Sequence, residues 1–319
     1  MVFAPRPHVE LVHVLDMPAR EVLLSGANLP ARLVVLSESP VNQAVSAVLD
    51  LPPGWRRQPG ANPDTFMEHY LLAGDLRVGA ELQLLPHHYF RTEPGAAAGP
   101  YSTVHGARVL FFTEGDPLAW RSVANPGDDL HEGLKWIDTN QVPWGEVFTT
   151  GTPVVGQARL LIKLLHVDPQ TRAYTRLIKA MAGWKDHRTA HHPCVEEAYT
   201  ISGHMTYNFG ALEVDTYFYR PPRVKHGFFQ AFPDGTIWLI RSDGELLNLY
   251  TEADGTPLNW DPGSPREPVH ADPLRSPRAG AWTGDGQHIT PIPPRRPGMA
   301  DPVEREVDVP EIKPAQDII

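Results

Sequence analysis

The sequence predicts an all-β protein made of two like jelly-roll barrels and a proline-rich tail. Three observations predict it. A domain-sized block recurs once along the chain. Both copies consist of short apolar runs closed by turn residues. The last sixty-odd residues carry proline at a density that regular structure does not tolerate.

The repeat is read first, because it decides how every other feature is weighed. Gly54-Trp55 opens a block that continues through Glu68, Tyr70, Gly74, Tyr89-Phe90, Pro94 and Gly99. Gly183-Trp184 opens a second block with Glu197, Tyr199, Gly203, Tyr217-Phe218, Pro222 and Gly227. The offset is 129 residues from Trp55 to Trp184 and 128 from Tyr89 to Tyr217. Upstream, Pro18 to Gly26 matches Pro143 to Gly151, and downstream Val109 to Phe112 matches Ile237 to Ile240. The units therefore run over residues 8–121 and 133–250, with a polar connector around Asn125-Pro126-Gly127. The chain length of 319 residues suits two domains of ~150 residues, each large enough for its own core.

Within the units the predicted strands come in order. Arg32 to Leu36, His69 to Leu72, Glu81 to Leu85 and Val109 to Phe112 serve the first. Arg159 to Leu165, Glu197 to Ile201, Glu213 to Tyr219 and Thr236 to Ile240 serve the second. Val, Leu, Tyr and Phe fill them, and Gly, Pro, Asn or Asp separate them. No segment sustains a 3.6-residue apolar period. Many short strands with frequent turns imply a sandwich or barrel. In the tail, residues 254–319, prolines such as Pro257, Pro262, Pro265 and Pro268 remove ladder donors and fix φ. An extended arm is expected there, laid over a barrel or over a second copy in a homo-oligomer.

The bulk numbers exclude some classes. Formal charge is −10, which argues against nucleic acid or an anionic membrane as the partner. One cysteine permits no internal disulfide, and no run approaches the ~20 apolar residues of a membrane span. Met1 to Pro7 has no apolar h-region, so a cytoplasmic location is expected.

Residues kept in both copies serve the fold; residues confined to one copy are candidates for chemistry. Ala190, His192, Glu196 and His226 fall opposite Ala61, Pro63, Met67 and Ala98. Three ligand-type side chains are thus absent together from the first unit. In the second they form His192-x(3)-Glu196-x(6)-Gly203 and, some twenty residues on, Pro221-Pro222-x(3)-His226. These runs resemble the two motifs of the cupin superfamily, and the resemblance spans nearly all of residues 8–250 as a two-cupin protein. More narrowly, His-Pro-x-x-Glu-Glu-x-Tyr and the Pro-Pro turn look like ChrR-like cupins and cupin-type dioxygenases. One departure is plain: the first histidine of the family's His-x-His is Ala190 here.

The resemblance implies a double-stranded β-helix (jelly-roll) fold and a divalent metal held by His192, Glu196 and His226, with His191 or His187 as less favoured ligands. Two imidazoles and a carboxylate suit Fe(II), which is favoured, or Zn, Mn or Ni. The implied function is a non-haem Fe(II) dioxygenase acting on a small carbonyl or enol-type substrate. The alternatives are a non-enzymatic sensory or ligand-binding cupin and a metal-dependent isomerase. ChrR-type anti-sigma factors add a helical zinc-binding segment with cysteines that this chain lacks.

Neighbouring residues read more blandly. Glu197 recurs as Glu68 and is expected to be structural. Cys194 reads as a small buried apolar residue. Arg220 and Arg223 are expected on a solvated turn. Tyr219, opposite Arg91, is a candidate for lining the pocket. His87-His88 looks like a metal pair, but no carboxylate accompanies it at the glutamate position.

Overall fold

A computed structural model describes residues 3–62, 64–117, 119–123, 134–146, 159–251, 280–282 and 289–291. The expected arm of residues 254–319 lies outside these, apart from a short ladder of Gly280–Trp282 with Ile289–Pro291. Among the described residues every regular element is a strand, save one 3-10 turn at Val14–Asp16.

The first unit is a two-walled barrel. Its larger wall runs in the order Leu134–Asp138, His88–Thr92, Met67–Gly74, Ala107–Thr113, Val45–Leu51, Ala31–Glu38, Ala19–Val22. Its smaller wall is Arg56–Arg57, Tyr101–Ser102, Leu76–Val78, Leu82–Leu84. Strand alternation sends Leu49, Leu71, Phe90 and Val109 inward to meet Val78, Leu84 and Tyr101 in one core. In the second unit the strands form one continuous sheet. Glu196–Tyr207 and His226–Ser242 are long, and bulges at Thr200/Ser202 and Gly203/Met205 break their register so that each serves both walls. Ala198, Met205, Phe218, Trp238 and Ile240 line its interior.

The repeat has a matched stereochemical mark. Gly74 and Gly203 sit at φ +79° and +78°, and a Cβ on either would lie 2.0 Å from the carbonyl oxygen of Gly106 or Gly235. Only glycine meets both demands, which is why it stands at equivalent positions of both units.

The units exchange edge strands. Val9–His13 pairs with Thr216–Arg220 of the second unit, and Leu134–Asp138 pairs with His88–Thr92 of the first. A third apolar core fills the seam, with Val34, Val48, Tyr70 and Phe112 from one side and Leu177, Tyr199, Tyr217 and Leu239 from the other.

A buried charge network crosses the same seam with the repeat's symmetry. Ser46 Oγ donates to Glu197 Oε2 at 2.6 Å, and Thr175 Oγ1 donates to Glu68 Oε1 at 2.7 Å. Ser46 and Thr175 are themselves one repeat apart. Tyr89 hydroxyl donates to Glu68 at 2.5 Å and Tyr217 hydroxyl to Glu197 at 2.8 Å. Arg241 bridges both carboxylates, meeting Glu68 Oε2 at 2.6 Å and Glu197 Oε1 more closely. Both Glu68 and Glu197 are fully buried. They join the two barrels.

Candidate metal centre

Strand parity builds the site. On Glu196–Tyr207, Glu196 and Ala198 face the barrel interior, while Glu197 and Tyr199 face the seam. His226 opens the strand that pairs with both this one and Lys185–His191. His192 follows the end of Lys185–His191. Its carbonyl accepts from Arg223 N at 2.8 Å, so the Pro221-Pro222 turn is tied to the histidine segment.

The three side chains converge. His192 Nε2 lies 3.2 Å from His226 Nε2, and Glu196 Oε2 lies 3.7 and 3.5 Å from those two nitrogens. All three are buried. The other ring nitrogens are taken: His192 Nδ1 is 2.9 Å from Leu247 O, and His226 Nδ1 is 3.1 Å from Val224 O. Carbonyl oxygens only accept, so each Nδ1 carries the proton and each Nε2 presents a lone pair. Burial, opposed by Glu196, lowers the His192 pKa. Burial, then the charges of Arg220 and His192, hold His226 well below the ordinary range. Two neutral imidazoles thus aim lone pairs at each other, and neither supplies a proton to bridge them. A divalent ion with bonds of about 2.0–2.2 Å and angles near 90–109° needs donors roughly 3.0–3.4 Å apart. The donor set fits such an ion in type and protonation; the two imidazole nitrogens stand at that spacing, and the Glu196 oxygen, at 3.5 and 3.7 Å from them, stands slightly wider.

Arg220 and Glu10 complete the surroundings, and the sequence reading missed both. Arg220 is expected on a solvated turn, yet it is 2% exposed. It donates from Nη1 to Glu196 Oε2 at 2.8 Å and from Nη2 to Glu10 Oε1 at 2.6 Å. Parity explains the error: Arg220 follows Phe218 by two on an inward face, and its cation lies 3.7 Å over the Phe218 ring. A signal existed, since the equivalent residue of the first unit is the neutral Thr92. Glu10 arrives on the exchanged strand Val9–His13. Burial raises its carboxyl, but the Arg220 charge and hydrogen bonds from His8 and Arg220 together bring it down to about 2. Tyr207 hydroxyl also donates to Glu10.

The remaining candidates fall elsewhere. Tyr219 lies in the seam core and donates to Ala4 O at 3.3 Å, so it does not line the pocket. Arg223 is exposed, as expected. Cys194 is buried and its thiol is pushed up to about 11 by burial, which keeps it protonated. His191 is buried but outside the three-donor cluster. His187 lies on Lys185–His191, with its side chain outside the described residues. In the first unit, His87 Nδ1 is 3.0 Å from Tyr70 Oη, and His88 stacks on Trp136. Ala190 pairs directly with His226 across the ladder, so its methyl shares that face and leaves it clear of a fourth donor.

No curated protein matches the chain. Among solved structures, it is similar to a candidate dioxygenase from Nostoc punctiforme at 20% identity and a TM-score of 0.65, over 81% of this chain and 88% of that one. It is also similar to the E. coli protein Ylba of the DUF861 family model, at 12% identity and a TM-score of 0.50, over 77% and 95%. These likenesses establish the fold as a two-cupin one. The family model described as domain of unknown function DUF4437 matches residues 23–249. The chain has a two-cupin fold and belongs to the DUF4437 family.

Proposed function

We propose that this protein is a metal-dependent cupin enzyme, a non-haem Fe(II) dioxygenase acting on a small carbonyl or enol-type compound. One observation carries the metal-dependent part. Two buried neutral imidazoles and a carboxylate point their donor atoms at a single spot, with both Nδ1 protons committed to backbone carbonyls. When bound there, Fe(II) in a two-histidine, one-carboxylate set supplies oxygen activation at its open positions.

The chain's own residues have separable tasks. His192 and His226 donate from Nε2, and their carbonyl contacts lock the tautomer. Glu196 brings the negative charge, and Arg220 fixes its orientation. Arg220 is itself neutralised by Glu10, so it does not add a free cation beside the ion. Tyr207 and Phe229 stack at 5.5 Å, and Phe229 lies edge-on to His226, forming an apolar wall that limits water. Ala190 keeps the ligand set at three.

The reading is tested by anaerobic reconstitution with Fe(II), followed by nitric oxide and then by oxygen with a small diketone such as 2,4-pentanedione. A high-spin iron–nitrosyl signal and substrate-dependent oxygen uptake are expected. A protein that binds only zinc, gives no nitrosyl signal and consumes no oxygen with diketones or hydroxyketones would instead be a binding module or an isomerase.

A further inference from the structure

The first barrel lacks the three donors, but its interior is not a plain apolar core. It holds a cavity of about 120 Å³ walled by Leu33, Val45, Leu49, Phe90, Val109 and Phe111. Arg57, Tyr101, Trp55 and His69 line the same space. In each, one buried polar atom has no hydrogen-bond partner in the protein: Arg57 Nη2, Tyr101 Oη, Trp55 Nε1 and His69 Nδ1. Four such atoms around one cavity is far from what native interiors tolerate.

Arg57 is the most telling. It is 9% exposed. Its Nε donates to Ser25 O at 2.9 Å, and its guanidinium lies 4.0 Å over the Trp120 ring. Its remaining charge meets no carboxylate among the described residues, although Glu38 and Asp116 border the cavity. A guanidinium taken out of water without an anion is costly, and it is the side chain suited to receive one. Tyr101 is its direct partner across the Arg56–Arg57 and Tyr101–Ser102 ladder, so the two side chains share one face.

We propose that the first barrel is a binding site for a small apolar monocarboxylate. Its carboxylate is received by Arg57 Nη2 and Tyr101 Oη, and its hydrocarbon body lies against Phe90, Phe111 and the aliphatic wall. A cavity near 150 Å³ accepts benzene, so the body is the size of a single ring or a short branched chain. This site is independent of the metal proposal, since it uses no residue of the second barrel.

The experiment is calorimetric titration of the full chain with benzoate in the presence of EDTA, so that the metal plays no part. One saturable site per chain is expected. Benzamide, of the same shape but neutral, should bind at least tenfold more weakly, and Arg57→Gln should weaken benzoate by at least tenfold. Tyr101→Phe should weaken it several-fold. Because it removes an unpartnered hydroxyl, it should leave the melting temperature unchanged or raised, which separates a binding loss from a folding loss. Val109→Phe, which fills the cavity, should abolish binding. No benzoate binding at 10 mM, equal binding of benzoate and benzamide, or full-strength binding by a folded Tyr101→Phe, Arg57→Gln or Val109→Phe variant would each overturn the proposal.

Discussion

Glu196 and Glu197 are chain neighbours that serve opposite sides of one strand. Glu196 Oε2 lies 3.5 Å from His226 Nε2 inside the second barrel, while Glu197 Oε2 accepts from Ser46 Oγ at 2.6 Å in the seam between barrels. Period-two alternation alone gives two adjacent carboxylates unrelated duties.

The two should therefore fail differently. Glu196→Gln should lose the metal and keep the seam. Glu197→Gln should keep the metal and lower stability by about 3 kcal/mol, since Arg241 and Arg6 lose a buried partner. Parallel metal analysis and urea unfolding check this. The opposite pattern would mean that the inward residue is Glu197.

The exchanged strand should also matter for the site. A chain beginning at Val14 lacks Glu10 and leaves Arg220 buried without its bidentate partner. Its metal content should fall well below that of the full chain. Arg220→Met should destabilise by about 3–5 kcal/mol by stranding Glu10. Adding Glu10→Gln to it should cost less than the sum of the two single changes.

Much of this was legible in the sequence. The repeat gave the duplicated barrel, and the one-sided residues gave the three donors that now lie together. The strand exchange was not legible, because a short run such as Val9–His13 carries nothing that specifies its partner strand. Arg220 was missed for a related reason. Next to two prolines it reads as turn, and only its pairing with Glu196 across the ladder keeps it on the inward face. The unpartnered atoms around Arg57 depend on tertiary distances that no spacing records.

Acid should weaken the metal-free fold through buried imidazoles. Burial, then Arg57, holds His69 at about 3, and His192 and His226 are also lowered. In the unfolded chain each takes a proton near pH 6.5. Below that pH the unfolded state binds more protons, so stability is full above about 6.5 and falls as pH drops toward the folded values. The slope is up to about 1.4 kcal/mol per pH unit for each imidazole. Glu114, which burial pushes up, acts in the opposite sense, but it is one carboxyl against five imidazoles, since burial lowers His87 and His166 as well. Urea unfolding at pH 7, 6 and 5 checks this, and unchanged stability across that range would count against neutral buried imidazoles.

The most direct test of the central claim is elemental analysis of the protein purified without a histidine tag, compared with His226→Ala. The account predicts about one divalent ion per chain in the first and its loss in the second. Full occupancy retained in a folded His226→Ala protein would contradict the assignment of His192, Glu196 and His226 as the metal centre.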